Sequence, residues 1–543
     1  MKFLKSIAGG VAVSAIAIAT SQTANAQVTT AGIRGTVTDE SGSPLGNADI
    51  TVRDANTGLT RQTTTSTTGA FSVRSLPVGG SYTVTANSDE FRAESIEDLS
   101  LSLGESTALN FALESDGSRT LETIVVTASA ADAISVAVGP NATFGLDVLE
   151  NAPAINRNIV DILRIDPRVY VDESRGDINP VQCGGKNPRF NSLTLDGVRL
   201  NDGFGLNSNG YPTERQPFAF DAIENVAIEL APYDVQYGGF TACNINAVTK
   251  SGTNEFHGSL FYDYTSDDLS GDSLEGEPVI VPDFDEQRYG FQVAGPIVQD
   301  RLFFSLAYEK LEGSNVFTRG PLGSGAINEV NITQAELDEI SRISREIYQY
   351  DPGDIPSSFD NEDEKILVKL DWNINEQHRA AFTYNYNDGF NITQSDGDID
   401  EFEFSNHLYE RGAELNQYVG FVYSDWTDNF STEVRVGYVD LLNRQNSIGG
   451  TDFGEITIET DDVDVYLGGD DSRQSNQLDY TIFNAAFKGF YQLNDHALTF
   501  GYEREEFDIF NLFVQHTETE IDFDGNPAVV DSTDTRDPAI VNF

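Results

Sequence analysis

Arg288-Tyr-Gly-Phe-Gln-Val-Ala-Gly-Pro-Ile297 and Leu302-Phe-Phe-Ser-Leu-Ala-Tyr-Glu-Lys-Leu311 alternate polar and apolar side chains, and Val298-Gln-Asp-Arg301 joins them. A period of two marks a strand with one wet face and one dry face. Each segment is about as long as the roughly 9–11 residues with which a tilted strand crosses a bilayer. The pattern recurs at Glu255–Tyr264, Glu364–Asn373, Arg379–Asn387, Asn416–Trp426, Ser431–Leu441, Tyr480–Gln492 and Ala497–Asp508. Short turns such as Asn373–Gln377 and Leu493–His496 join segments in pairs, and long acidic loops (265–287, 312–363, 388–415, 442–479) separate the pairs. Short turns on one rim and long loops on the other predict a membrane-spanning antiparallel β-barrel. A soluble β-sandwich is the alternative that alternation alone leaves open.

The N-terminus gives the address. Met1-Lys2 and Lys5 precede an apolar stretch from Ile7 to Ala19 and then Ala24-Asn-Ala26. This is a secretory signal peptide, residues 1–26, with cleavage after Ala26. No later segment approaches twenty consecutive apolar residues, so no membrane helix is expected. The net charge of −54 argues against nucleic acid as a partner, which needs a basic face. It suits a solvated outer surface, with divalent cations held loosely at acidic loops. Cys183 and Cys243 are the two cysteines. An oxidising compartment favours one disulfide between them, worth roughly 4 kcal/mol through the denatured state for a loop of about 60 residues. Two free buried thiols are the other reading.

Residues 27–115 show short alternating strands at Ile33–Val37, Ala48–Val52, Gly69–Val73, Ser81–Thr85 and Leu109–Leu113, separated by Gly/Pro turns. That predicts a small β-sandwich. The pattern G-x-V-x-D, G-x-P-L-x-x-A-x-I-x-V, G-x-F-x-V and L-P-x-G-x-Y-x-V resembles the carboxypeptidase regulatory-like domain, which implies a non-catalytic accessory module. A polar linker, Glu114–Thr120, leads into Leu121-Glu-Thr-Ile-Val-Val-Thr-Ala-Ser129. This run is β-branched and suited to adding itself to another protein's sheet edge. The alternative is a last strand of the accessory sandwich.

From 130 to 252 helix and strand mix. Ile155, Ile159, Ile162 and Leu163 recur at helical spacing, and Asn191–Leu200 and Ile223–Leu230 read as period-2 strands. Physics alone gives a compact α+β domain. Its motifs are Arg157, Asp161 and Leu163 on a helix, Leu195-Asp-Gly-Val-Arg199, and Ile223-Glu-Asn-Val226 ahead of Tyr237-Gly and Ile245-Asn-Ala-Val-Thr-Lys250. Together they resemble the plug domain of TonB-dependent outer-membrane receptors. Thr249–Ser259 resembles the plug-to-barrel junction of the Oar-like branch. Where these receptors usually carry Gly-Gly, this chain has Ala242-Cys243, and a Cys183–Cys243 bridge could replace glycine-mediated tightness there. In that setting the linker at 116–129 is where the family carries a TonB box, here Glu122, Thr123, Ile124, Val125, Val126, Thr127 and Ala128. The expected fold is multidomain and mainly β: sandwich, α+β plug at 130–252, then the first part of an antiparallel transmembrane barrel at 253–543.

Nine strands cannot enclose a plug of this size, since plugged transporters have 22 strands. The chain is therefore expected to be the N-terminal part of a longer receptor. Phe543 is aromatic, but Asp537–Phe543 lacks the alternation of a closing strand. Enzyme chemistry finds no support. Gly271-Asp-Ser-Leu274 lies in an acidic loop without a partner base, and Asp396–Asp400 lacks the glycine and final glutamate of a calcium loop. The five histidines lack metal-ligand spacing, and no cofactor motif is present.

The resemblance implies a receptor of the Gram-negative outer membrane, with the N-terminal domain and TonB box in the periplasm. It would contact outer-membrane lipid, bind a small external ligand, and import it with energy relayed by TonB and the inner-membrane complex that energises it. The plug loop Asn201–Pro217 would face the outside, with Phe204, Asn207, Asn209, Tyr211 and Arg215 gripping a polar ligand. The alternative is a surface binding, adhesion or secretion-assisting protein without import.

Overall fold

The structure is a computed structural model. It describes residues 28–115, 124–127, 134–136, 141–154, 156–172, 180–230, 232, 234–271, 273–274, 276–278, 283–395, 397–460, 462–493, 496–515 and 520–523. Residues 1–26, expected to be a signal peptide, and Leu121–Thr123, Ala128–Ser129, Ile155 and Asp537–Phe543 lie outside these residues.

The N-terminal region is a two-layer sandwich. One sheet has the order 70–76, 31–39, 106–113, 134–136, and the other 60–64, 49–54, 79–87, 94–101, 124–127. Buried and exposed residues alternate along 60–64 and 106–113, so each sheet turns one face inward. Ile33, Val37, Ile50, Val52, Phe71, Tyr82, Val84, Leu109 and Phe111 fill the space between. One strand has no apolar signature in the sequence. On Thr60–Thr64 the inward face is Arg61 and Thr63, and both bond to the barrel rather than to apolar neighbours.

Residues 141–249 form a five-stranded mixed sheet in the order 141–144, 223–229, 244–249, 192–195, 198–199. Two short helices, Leu146–Asn151 and Ile159–Leu163, lie beside it in sequence, and Asn158 caps the second by accepting from Val160 N at 3.1 Å. The strands at 192–195 and 244–249 are buried on both faces, where alternation predicts one wet face. The sheet is enclosed: Val226 and Ile228 join the plug core, while Ala227 and Val248 belong to the core of the sandwich.

Nine antiparallel strands follow in one sheet, in chain order: 257–266, 285–298, 302–316, 358–373, 378–393, 409–427, 430–447, 475–493 and 496–514. All nine alternating segments are present. Leu370, Phe382, Tyr418, Val422, Val436 and Tyr438 are exposed on one face, while Gln292, Thr383, Asn385, Gln417 and Asn484 are buried on the other. Apolar-out, polar-in alternation is the pattern of a barrel wall in lipid. Apart from the first, the strands run 14–19 residues, longer than their alternation. The added length is paired by charge: Arg444 bridges Glu410 and Asp388 across three neighbouring strands. The edges 257–266 and 496–514 have no further partner strand among the described residues.

The long loops are not merely acidic coil. Helix Gln334–Glu346, capped by a Thr333/Glu336 capping box, and a sheet in the order 401–403, 464–467, 455–459, 520–523 share a small core. Leu337, Phe402, Phe404, Ile456, Val465 and Leu467 form it. No helix among the described residues is long and apolar enough to cross a membrane.

Candidate functional site

The three groups of residues singled out from the sequence lie at three levels of the molecule. Of the docking run, Ile124–Thr127 is a strand. It pairs in parallel with the sandwich strand, Glu94 opposite Ile124 through Glu97 opposite Thr127. The run thus forms the edge of the five-stranded sheet, the arrangement named above as the alternative. Downstream, Ile134–Val136 pairs with Ser106–Ala108 on the other sheet.

The sandwich sits at the short-turn end of the barrel. Arg61 Nη1 meets Asp425 Oδ2 at 3.0 Å and donates to Glu376 O at 2.5 Å. Thr63 Oγ1 donates to Asp428 O at 2.9 Å, and Arg379 Nη2 to Ser75 O at 3.3 Å. Between sandwich, plug and barrel wall lies a cavity of about 710 Å³, lined by Thr29, Gly79, Asp147, Glu224, Asp371, Arg379 and Tyr423 among others. Burial pushes the Glu224 carboxyl up to about 7, against the downward pull of Lys250 and Lys369.

The plug is seated by apolar packing on wall residues such as Leu415, Val419 and Leu441 and by polar contacts. Asp196, in the Leu195–Arg199 motif, accepts from Thr249 N at 3.0 Å, Thr249 Oγ1 at 2.8 Å and barrel Thr383 Oγ1 at 2.8 Å. Lys369 Nζ donates to Thr249 O at 2.8 Å and Asn385 Nδ2 to Pro217 O at 2.9 Å. Arg157 pairs with Asp221 at 2.5 Å and stacks 3.5 Å over the Phe261 ring. Gly197, at φ +73°, turns the hairpin where Arg435 Nη1 would stand 2.3 Å from any Cβ. Arg435 is buried in the wall and bonds Glu503 at 2.6 Å. Beside it, Lys488 and Glu433 approach to 3.4 Å. These wall charges were not selected from the sequence. The signal is there, as charges at alternate positions inside otherwise apolar strands.

The plug loop 201–217 reaches the long-loop end of the barrel, where Glu214 takes a two-point bond from Arg411 at 2.6 and 2.8 Å. Its residues divide by use. Asn207 Nδ2 donates to Tyr211 O at 3.0 Å, Asn209 Nδ2 to Glu214 O at 2.9 Å, and Asn209 Oδ1 accepts from Tyr211 N at 2.8 Å. Both amides are buried and hold the loop's own backbone, so they are not free to grip a ligand as expected. Asp202 adds to this by accepting from Phe204 N, Gly205 N and Asn207 N at 2.8–2.9 Å. Tyr211 is buried, which drives its phenol well above the ordinary range. Phe204 packs on Tyr480 at 6.0 Å, and Arg215 donates to barrel Asn391 at 3.1 Å. Beside the loop, Arg189, Phe190 and Leu206 are exposed, and Arg189 Nη2 donates to Phe204 O at 3.3 Å.

Cys183 and Cys243 are joined by a disulfide. It ties the 181–183 strand to the start of the 244–249 strand. Both cysteines are buried in the plug core.

Comparisons with known proteins agree with this architecture. Residues 32–114 match the carboxypeptidase regulatory-like domain, 133–243 the TonB-dependent receptor plug domain and 248–319 an outer membrane beta barrel domain. The chain is 25% identical over 374 residues to the TonB-dependent transporter Oar of Myxococcus xanthus, covering 65% of this chain and 33% of that protein. It is 29% identical over 231 residues to the "Probable TonB-dependent siderophore receptor PirA" of Acinetobacter baumannii, covering 40% of this chain and 28% of that protein. The chain thus spans about a third of the length of the curated relatives it matches. The fold is similar to the outer membrane transporter YddB of Escherichia coli, with a TM-score of 0.50 at 14% identity, covering 70% of this chain and 50% of that one. A regulatory-like sandwich, a plug domain and apolar-out barrel strands, in that order, give the chain the domain series of a TonB-dependent receptor of the Gram-negative outer membrane, and the Oar transporter is among the proteins it is similar to.

Proposed function

We propose that the chain binds an external ligand and passes it across the outer membrane with energy relayed through TonB from the inner-membrane proton-motive complex. The observation that carries this reading is the seat of the plug. Asp196, Lys369 and Asn385 hold it by hydrogen bonds and Arg157 by an ion pair with barrel Glu309 at 3.8 Å, contacts that water can replace at little net cost. A pull from the periplasmic side would break these contacts and part the apolar side chains that the plug shares with the wall, such as Leu415, Val419 and Leu441. Energy would enter at 122–128, where TonB pairs with the run as a strand. The ligand would meet the plug at Phe204, Arg215, Arg189 and Phe190, at the long-loop end. One relative's name includes siderophore receptor, which makes ferric chelates the first class to test.

The test is accumulation of labelled ferric chelates, oligosaccharides and peptides by whole cells with and without TonB. Accumulation of one probe that needs both the receptor and TonB is the expected result. Probe that stays at the surface in both strains argues for the second reading, a surface binding or secretion-assisting protein. That reading draws on the loop layer, whose separate core around Leu337 and Phe402 is more than a pore rim requires.

A further inference from the structure

We propose that the sandwich edge Glu94–Glu97 is a holder for the TonB box within the same chain, so that TonB must displace the sandwich to engage it. The inference rests on the reading of residues 122–128 as the TonB-docking run. Strand 94–101 pairs on one side with 79–87. Its other side would be an open edge, with backbone donors and acceptors free to template another strand. Ile124–Thr127 fills that edge in parallel register, Ser95 opposite Val125 and Ile96 opposite Val126. The run therefore already makes, within the chain, the kind of pairing it would make with TonB.

Two features give this contact a regulatory character. A second segment downstream of the run, Ile134–Val136, pairs with the edge of the opposite sheet, so a pull on the box that reaches the plug must unzip both pairings. The holder is also fixed in place, docked on the barrel turns through Arg61 and Thr63 and on the plug through Ala227 and Val248. A four-residue pairing is short enough to be displaced by a competing strand. The accessory domain thus sets how often the box is available.

The test locks the pair. In the full-length receptor in detergent, Ser95→Cys with Val125→Cys places cysteines on register partners, and Glu94→Cys with Ile124→Cys repeats the test one pair along. Mild oxidation should cross-link each pair. Binding of the TonB periplasmic fragment should be at least about tenfold weaker for the oxidised form than for the same protein after reduction, with the Ser95→Cys single variant unaffected by either treatment. Failure of both pairs to cross-link overturns the proposal, and so does equal fragment binding before and after reduction, which would mean TonB adds to the outer side of a box left in place. Fragment binding absent from wild type and every variant, while the cross-links still form, overturns the docking reading itself.

Discussion

At Gly35 one hydrogen atom decides whether the sandwich closes. A Cβ there would lie 1.6 Å from the carbonyl oxygen of Leu109, its partner in the parallel pairing of 31–39 with 106–113. Backbone cannot step aside as a side-chain tip can. Gly35→Ala should therefore destabilise the sandwich by about 3 kcal/mol or more, seen as loss of hydrogen-exchange protection across both strands. Unchanged protection would mean the strands pair otherwise. Glu224 carries the second residue-scale prediction. Its carboxyl holds its proton up to about 7 in the fold, against an ordinary value of 4.5, so the native state binds that proton more tightly than the unfolded chain. Its contribution is fully present below pH 4.5 and is lost as pH rises through 7. Glu224→Gln should flatten that slope, worth on the order of 2 kcal/mol after allowance for partial exposure. Equal slopes in the two proteins would contradict it. Both residues stand in motifs of the sequence, Gly35 in G-x-V-x-D and Glu224 in Ile223-Glu-Asn-Val226, but the constraint on each is not legible there. Gly35 reads as a strand glycine and Glu224 as a wetted strand position, because what constrains each is a segment distant in the chain.

At the scale of elements, legibility follows the lipid. The nine barrel segments show in the sequence because a wall between hydrocarbon and a polar lumen preserves the period of two. Their outer ends do not, because Arg444, Glu410 and Asp388 pair strands by charge above the membrane. The loop layer was missed for a different reason: its acidic composition reads as solvated loop, although the Thr333–Glu336 capping box and the alternation in Glu455-Ile-Thr-Ile-Glu459 were there to be read. Thr333→Ala should cost that helix about 1 kcal/mol, visible as faster proteolysis within the 317–357 loop and nowhere else. Strand Thr60–Thr64 was missed because its inward residues serve the barrel rim. Arg61→Ala removes an ion pair with the half-buried Asp425 and should weaken docking of the sandwich by about 2 kcal/mol. Hydrogen exchange should then rise at 49–64 and at the barrel turns together. A change confined to the sandwich would show that the rim contact does not anchor it.

The whole molecule is a stack: sandwich at the short-turn end, plug within the strands, folded loop layer at the far end. The order of its parts was legible because each carries local motifs. The expected ligand grip at Asn207 and Asn209 was not, since their amides are spent on the loop itself. The docking run gained a neighbour the sequence offered only as an alternative, and its role as the point where energy enters is the central claim. Proline at Val125 removes a backbone donor from the run. The most direct test is the affinity of the TonB periplasmic fragment for the full-length receptor, wild type against Val125→Pro, with melting curves to show that both are folded. The account predicts binding by wild type and a loss of at least about tenfold in the variant. Equal affinity in the two would show that TonB does not engage residues 122–128.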